Sequence, residues 1–119
     1  MAKINMEITL HSPEEKSRKN LVGELQENQI SYIDGGFLVS IKWQDEAIIL
    51  TKSNNNYKIA IRLEKNNSAG TYEDLKSKMC LKMKVDSEDF AISNNCVKMS
   101  YVIEDLNKIS YSIKYEVQE

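Results

Sequence analysis

The chain has 119 residues, 41% hydrophobic and 29% charged, with 16 basic against 18 acidic residues and a net charge of −2. That size allows a single domain, 1–119, whose core needs no disulfide or metal staple. The charge balance excludes the basic excess of a dedicated nucleic-acid binder, and no apolar run approaches the ~20 residues of a membrane span. The opening MAKINMEITL alternates polar with apolar residues and so is no secretory leader. The expectation is a soluble cytoplasmic protein.

Two-residue alternation runs from end to end, the mark of strands with one buried face. Ile4, Met6, Ile8 and Leu10 open the series. Pro13–Lys19 and Tyr72–Lys78 are polar enough to read as loops, each with room for one helical turn. Ile30 and Tyr32, then Phe37, Val39, Ile41 and Trp43, form the next faces, followed by a face through Leu50. Tyr57, Ile59, Ile61 and Leu63 continue the alternation, as do Met79, Leu81, Met83 and Val85. Phe90/Ile92, Val97/Met99/Tyr101/Ile103 and Ile109/Tyr111/Ile113/Tyr115/Val117 complete it. No window carries the i, i+3, i+4, i+7 stripe of a core helix.

Paired strands must put their apolar sets on one face, which fixes whether each loop is odd or even. Ile30/Tyr32 against Phe37/Val39 needs an even loop, supplied by Asp34-Gly35 or Gly35-Gly36 as a type I′ turn. Asn94-Asn95 serves between Ile92 and Val97, and Ser53-Asn54 between Leu50 and Tyr57. The acidic run Asp86–Asp89 reads as the turn between Val85 and Phe90. An odd loop, Asp105-Leu106-Asn107, places Ile103 opposite Ile109 and Tyr101 opposite Tyr111, with Glu104 opposite Lys108. These connections predict an all-β fold, an antiparallel up-and-down meander of nine or ten strands. Closing it into a barrel removes the exposed edges, and the short hairpin connections favour that closure over the alternative, a two-sheet sandwich.

Three stretches carry a family resemblance: NQISYIDGGFLVSIKW (28–43), the Tyr57–Arg62 strand ending in Arg, and the closing run Lys84–Tyr115 with VKMSYVIEDLNK followed by ISYSIKY. Together they resemble the YwiB-like family of small bacterial proteins. The resemblance covers about two thirds of the chain and lapses over residues 63–78, LEKNNSAGTYEDLKSK. It implies a calycin-like, lipocalin-resembling β-barrel, and it implies no reaction.

Chemistry-bearing residues are sparse. His11 is the single imidazole, and no motif sets a nucleophile beside it, so no catalytic residue is assigned. Asp86, Glu88 and Asp89 lack the spacing and glycine of a calcium loop. Cys80 and Cys96 form no CxxC unit and fall on polar faces two strands apart, so neither zinc nor a disulfide is expected. Lys78, Lys82, Lys84, Lys98 and Lys114 line outer faces while Tyr101, Tyr111 and Tyr115 face inward, so charge and stacking do not converge on a nucleic acid.

The informative residues are the inward tyrosines Tyr32, Tyr57, Tyr101, Tyr111 and Tyr115. Their hydroxyls must find partners, either in a core network or in a small ligand. Arg62 joins them as a candidate ligand-binding residue near a barrel mouth, although its parity is outward. Two functions follow: a barrel that binds a small hydrophobic or amphipathic molecule without catalysis, or a filled module that dimerises or docks a protein through outward Ile33, Leu38 and Ile49. An enzyme built on loop acids has no motif behind it. No cofactor, metal, nucleic acid or membrane partner is expected.

Overall fold

The alternation resolves into ten antiparallel strands in a computed structural model, which describes residues 2–44, 46–65, 67–104 and 107–118. In chain order these are β1 (Ala2–His11), β2 (Lys16–Gln26), β3 (Gln29–Asp34), β4 (Phe37–Gln44) and β5 (Ala47–Ser53). They continue as β6 (Tyr57–Glu64), β7 (Ala69–Asp74), β8 (Cys80–Ser93), β9 (Cys96–Ile103) and β10 (Asn107–Val117). Each strand pairs with its sequence neighbours, and β1 also pairs with β10, closing the meander into a barrel. Closure runs from Ile4↔Val117 to His11↔Ser110, so both terminal strands lose their free edges.

The inward residues form one core. Ile4, Ile30, Ile41, Ile48, Leu63, Val97 and Ile113 are fully buried, and they come from seven different strands. β-branched residues dominate because their stiff side chains suit a pleated, half-buried surface.

The strands group into two half-sheets. One comprises β3 to β7 with the first part of β8, where Ala69↔Lys84 to Glu73↔Cys80 pair. The other comprises the rest of β8, paired from Val85↔Ile103 to Ser93↔Cys96, with β9, β10, β1 and β2. The halves join twice: through the uninterrupted backbone of β8, and through Glu24↔Ser31, Leu25↔Ile30 and Gln26↔Gln29 between β2 and β3. Gly23 sits where that second joint ends. A Cβ there would lie 2.8 Å from the Ser31 carbonyl oxygen and 2.7 Å from Met6 Cε.

Four sequence expectations are corrected. Asp86–Asp89 is not a turn but part of β8, with a bulge between Ser87 and Asp89. A bulge inserts one residue and reverses the facing of everything after it, so the parity switch from Val85 to Phe90 mimics an even loop. This also moves Cys80 and Cys96 to opposite ends of adjacent strands. Cys80 and Ser93, the partner of Cys96, are the two ends of β8, about 40 Å of chain at ~3.3 Å per residue.

The second correction is at the C-terminal hairpin, where Ile103 pairs with Asn107, Tyr101 with Ile109 and Tyr111 with Met99. Facing is as expected, but the register is displaced by two residues. Glu104, at φ 55°, is held by β8 instead of facing Lys108: its N–H donates to the Lys84 carbonyl at 2.8 Å, and its Oε1 accepts from the Lys84 N–H at 2.7 Å. Asp105 and Leu106 of the expected loop lie outside the described residues.

The third is at β5–β6, where the turn falls on Asn55-Asn56 because the Asn54 carboxamide oxygen accepts the N–H groups of Asn56 and Tyr57. The fourth concerns the two segments read as loops. β2 starts at Lys16, and Tyr72 to Asp74 end β7. Ser17 and Lys19 occupy inward positions of β2, which erased the apolar alternation. Gly35 and Gly36, at φ 59° and 85°, form the two-residue turn as expected, and Asn95 at φ 67° completes the Asn94-Asn95 turn.

Two outcomes check this architecture. Ile113→Ala removes a fully buried side chain and should cost about 2–5 kcal/mol in denaturant unfolding, whereas outward Ser112→Ala should stay within about 0.5 kcal/mol. Gly23→Ala pushes against backbone as well as Met6 and should cost about 1–3 kcal/mol. A silent Gly23→Ala would mean that β2 and β3 do not meet as described.

Candidate functional site

The richest collection of inward side chains that are not fully buried lies at the end of the barrel formed by the β3–β4, β5–β6 and β7–β8 turns. There the Phe37 and Tyr57 rings tilt together with centroids 5.5 Å apart. Tyr57 also stacks on Tyr72 at 5.5 Å, with 28° between the planes. Lys52 Nζ stands 4.5 Å over the Phe37 ring, a cation–π contact. Lys19 Nζ meets both carboxylate oxygens of Asp34 at 3.1 and 3.2 Å. Lys19, Asp34 and Lys52 share the inward facing of their strands, since Leu21, Tyr32 and Leu50 precede or follow them by two residues. This mouth therefore combines an aromatic wall, two ammonium groups and one carboxylate.

Below the rim, Leu50, Ile59, Ile103 and Ile109 point inward but remain only partly buried. Three and four strands round the ring from β6, the β9–β10 wall carries Tyr101 and Tyr111, diagonal neighbours. Burial pushes the Tyr101 phenol up to about 12 and raises that of Tyr111 further. Among the described residues, no tyrosine hydroxyl bonds to another protein group, and none is sealed away without a partner. The inward hydroxyls therefore keep some access to solvent. A tyrosine network within the core does not form.

The six sequence candidates divide accordingly. Tyr57 belongs to the mouth, Tyr101 and Tyr111 to the β9–β10 wall, and Tyr32 is buried beside the β2–β3 joint. Tyr115 lies four residues beyond Tyr111 on β10, opposite Met6, half-buried and lining a cleft shared with Asn5, Asn20 and Lys114. Arg62 stands apart on the outer face, exposed, with its guanidinium paired to Glu64 and Nε donating at 2.6 Å. Sequence reasoning missed Lys19, Asp34, Lys52 and Tyr72. The available signal was parity: a charged residue on the inward phase of a strand end marks a rim.

On the outside, Ile33 and Leu38 pair across β3 and β4 and are 70% and 53% exposed. Val22, 58% exposed, adjoins them around a cleft of about 310 Å³ that also touches Gly23, Ser31 and Tyr32. Ile49 does not join this patch; it pairs with Lys42 and Arg62 and is half-buried. A larger cleft of about 840 Å³ crosses β2, β1, β10 and β9, lined by Asn5, Glu7, Asn20 and Lys114 together with apolar Leu21, Val22 and Tyr115. The Arg18 guanidinium, 2.8 Å from Glu7, holds that carboxyl below the usual range. Among the described residues, no His, Cys, Asp and Glu cluster could hold a metal ion, and both cysteines are free.

The raised phenols generate a pH prediction. A tyrosine protonated in the folded state above its unfolded value of about 10 contributes stability that is complete below pH 10 and lost as pH rises toward 12. Melting temperature should therefore fall across pH 10–12, and two of the six tyrosines should ionise only as the barrel opens. Six phenolates appearing together near pH 10, by ultraviolet absorbance, would contradict the burial of Tyr101 and Tyr111.

No family model and no curated protein matches the sequence. Among solved structures, the chain is similar to the crystal structure of ywiB protein from Bacillus subtilis, with a TM-score of 0.65 and 12% identity over 98% of this chain and 91% of that one. The likeness spans almost the entire barrel and establishes a shared fold.

Proposed function

We propose that the protein is a non-catalytic, calycin-like carrier that takes a small amphipathic molecule through the aromatic mouth into the barrel. The observation that carries this reading is the set of inward side chains left incompletely covered: Phe37, Leu50, Tyr57, Ile59 and Tyr111, with phenol hydroxyls unbonded by protein. Eight strands enclose an interior that side chains just fill or that holds one small ligand, and ten strands leave more room. Surface arithmetic agrees. The accessible area is 7924 Å², against about 6,600 Å² expected for this mass. The radius of gyration, 14.2 Å, is near the ~13.5 Å of a compact domain. The extents are 42 × 31 × 30 Å, so part of the extra surface comes from elongation along one axis.

The chemistry of the mouth selects the ligand class. An apolar tail would pass Leu50 and Ile59, and an anionic head would rest between Lys19 and Lys52. Two free thiols fit residence in the reducing cytoplasm. A second reading, a dimer or docking module, is favoured by the exposed trio Val22, Ile33 and Leu38.

Native mass spectrometry of protein purified from its own cells should show a co-purifying small molecule on a monomer. Titration calorimetry with dodecanoate should show binding that weakens about tenfold in Lys52→Gln, while dodecyltrimethylammonium binds poorly. Tyr111→Ala, if it still folds, should lose the ligand. A ligand-free monomer that ignores both amphiphiles would refute the carrier reading, and a ligand-free dimer sensitive to Ile33→Glu would establish the alternative.

A further inference from the structure

The barrel is closed, yet one seam in it is open. β2 and β3 pair only through Glu24, Leu25 and Gln26 against Ser31, Ile30 and Gln29. Beyond that joint both strands stay extended. β2 continues through Lys16–Gly23 with β1 alone as partner, and β3 continues through Tyr32–Asp34 with β4 alone. Each therefore turns a row of backbone N–H and C=O groups toward the seam. Such a row is a template for another strand.

The other one-sided stretch makes a useful contrast. β8 pairs only with β9 from Val85 to Ser93, and there the edge carries a bulge and the acids Asp86, Glu88 and Asp89. Bulges and charges are the usual devices that keep a free edge from pairing. The seam has no bulge and no proline. What crosses it is the Lys19–Asp34 ion pair, whose side chains are 51% and 30% exposed, a contact easily exchanged for others.

The surroundings of the seam define its occupant. At its closed end lie Val22, Ile33 and Leu38, around the cleft of about 310 Å³. Toward its open end β2 presents Lys16, Arg18 and Lys19, all exposed. We infer that the β2–β3 seam receives an extended polypeptide segment by strand addition, antiparallel to β2, with apolar residues at alternate positions first and acidic residues about four to six positions later. Backbone hydrogen bonds supply the attachment, the apolar cleft reads the first side chains, and the basic end of β2 reads the acids. The site lies on the barrel wall and shares only the Lys19–Asp34 pair with the mouth.

The test uses a ten-residue peptide alternating valine with threonine in its first half and glutamate with threonine in its second. In ¹H–¹⁵N spectra of the full chain, amides of Lys16–Gly23 and Tyr32–Asp34 should shift and gain protection from hydrogen exchange. Ile33→Glu, at an exposed position that leaves the core untouched, should weaken binding about tenfold or more. A peptide with the two halves exchanged should bind more weakly, and one N-methylated at alternate residues should not bind. Equal binding of the N-methylated peptide, shifts confined to the mouth, or no shift at millimolar peptide would overturn the inference.

Discussion

Everything in this barrel depends on β8 serving two half-sheets with one backbone. Its first five residues pair with β7, and from Val85 onward it pairs with β9. A strand that changes partners must also keep its apolar residues facing in, and the coiling of the sheet works against that over fourteen residues. The bulge at Ser87/Asp89 resolves the conflict. Before it, odd-numbered Met83 and Val85 face the core; after it, even-numbered Phe90 and Ile92 do. Without the extra residue, Phe90 and Ile92 would point to solvent and Asp89 and Ala91 to the core. The acids of this stretch are thus placed by geometry, at the corner where the chain is bent and wet.

Closure imposes the complementary constraint. Once β1 is zipped to β10 over eight rungs and to β2 over ten, the remaining freedom is concentrated where β2 meets β3. Three rungs suffice to shut the ring, and Gly23 lets the Ser31 backbone approach at the last of them. A β-branched residue there would force the joint open from the start. The same few residues therefore control both the integrity of the barrel and the width of the proposed docking seam.

Strand number, facing and most turns were legible because they rest on local signals. Alternation gives facing, and residues that tolerate positive φ, such as the pair Gly35-Gly36 and Asn95, give turns. What escaped detection needed partners from elsewhere in the chain. β2 has Ser17, Lys19 and Gly23 on its inward phase, so only pairing with β1 makes it a strand. The register of the last hairpin is set by Glu104 gripping Lys84, twenty residues away. A bulge and a turn produce the same parity switch, and only the continuous ladder with β9 tells them apart. For the candidate site, the tyrosines were visible as inward residues, but their division between the mouth and the β9–β10 wall depends on the order of strands round the closed ring. Arg62 was placed on the outside by its parity, and its pairing with Glu64 keeps it there.

The mouth and the seam make different demands on the same scaffold. A carrier, as proposed, would need an interior whose residues tolerate being half-covered when empty, at a cost in stability at Leu50, Ile59 and Tyr111. The seven fully buried residues offset that cost by forming a dry belt contributed from β1, β3, β4, β5, β6, β9 and β10. Because the belt draws on both half-sheets, neither can move without disturbing it. The seam lies in the wall where β2 has left β3, so a strand added there would extend the wall without entering the core. Lys19 belongs to both places: its ammonium pairs with Asp34 across the seam and faces the mouth. An acidic segment in the seam and an anionic head in the mouth would compete for that one charge, which couples the two proposed sites negatively through a single side chain.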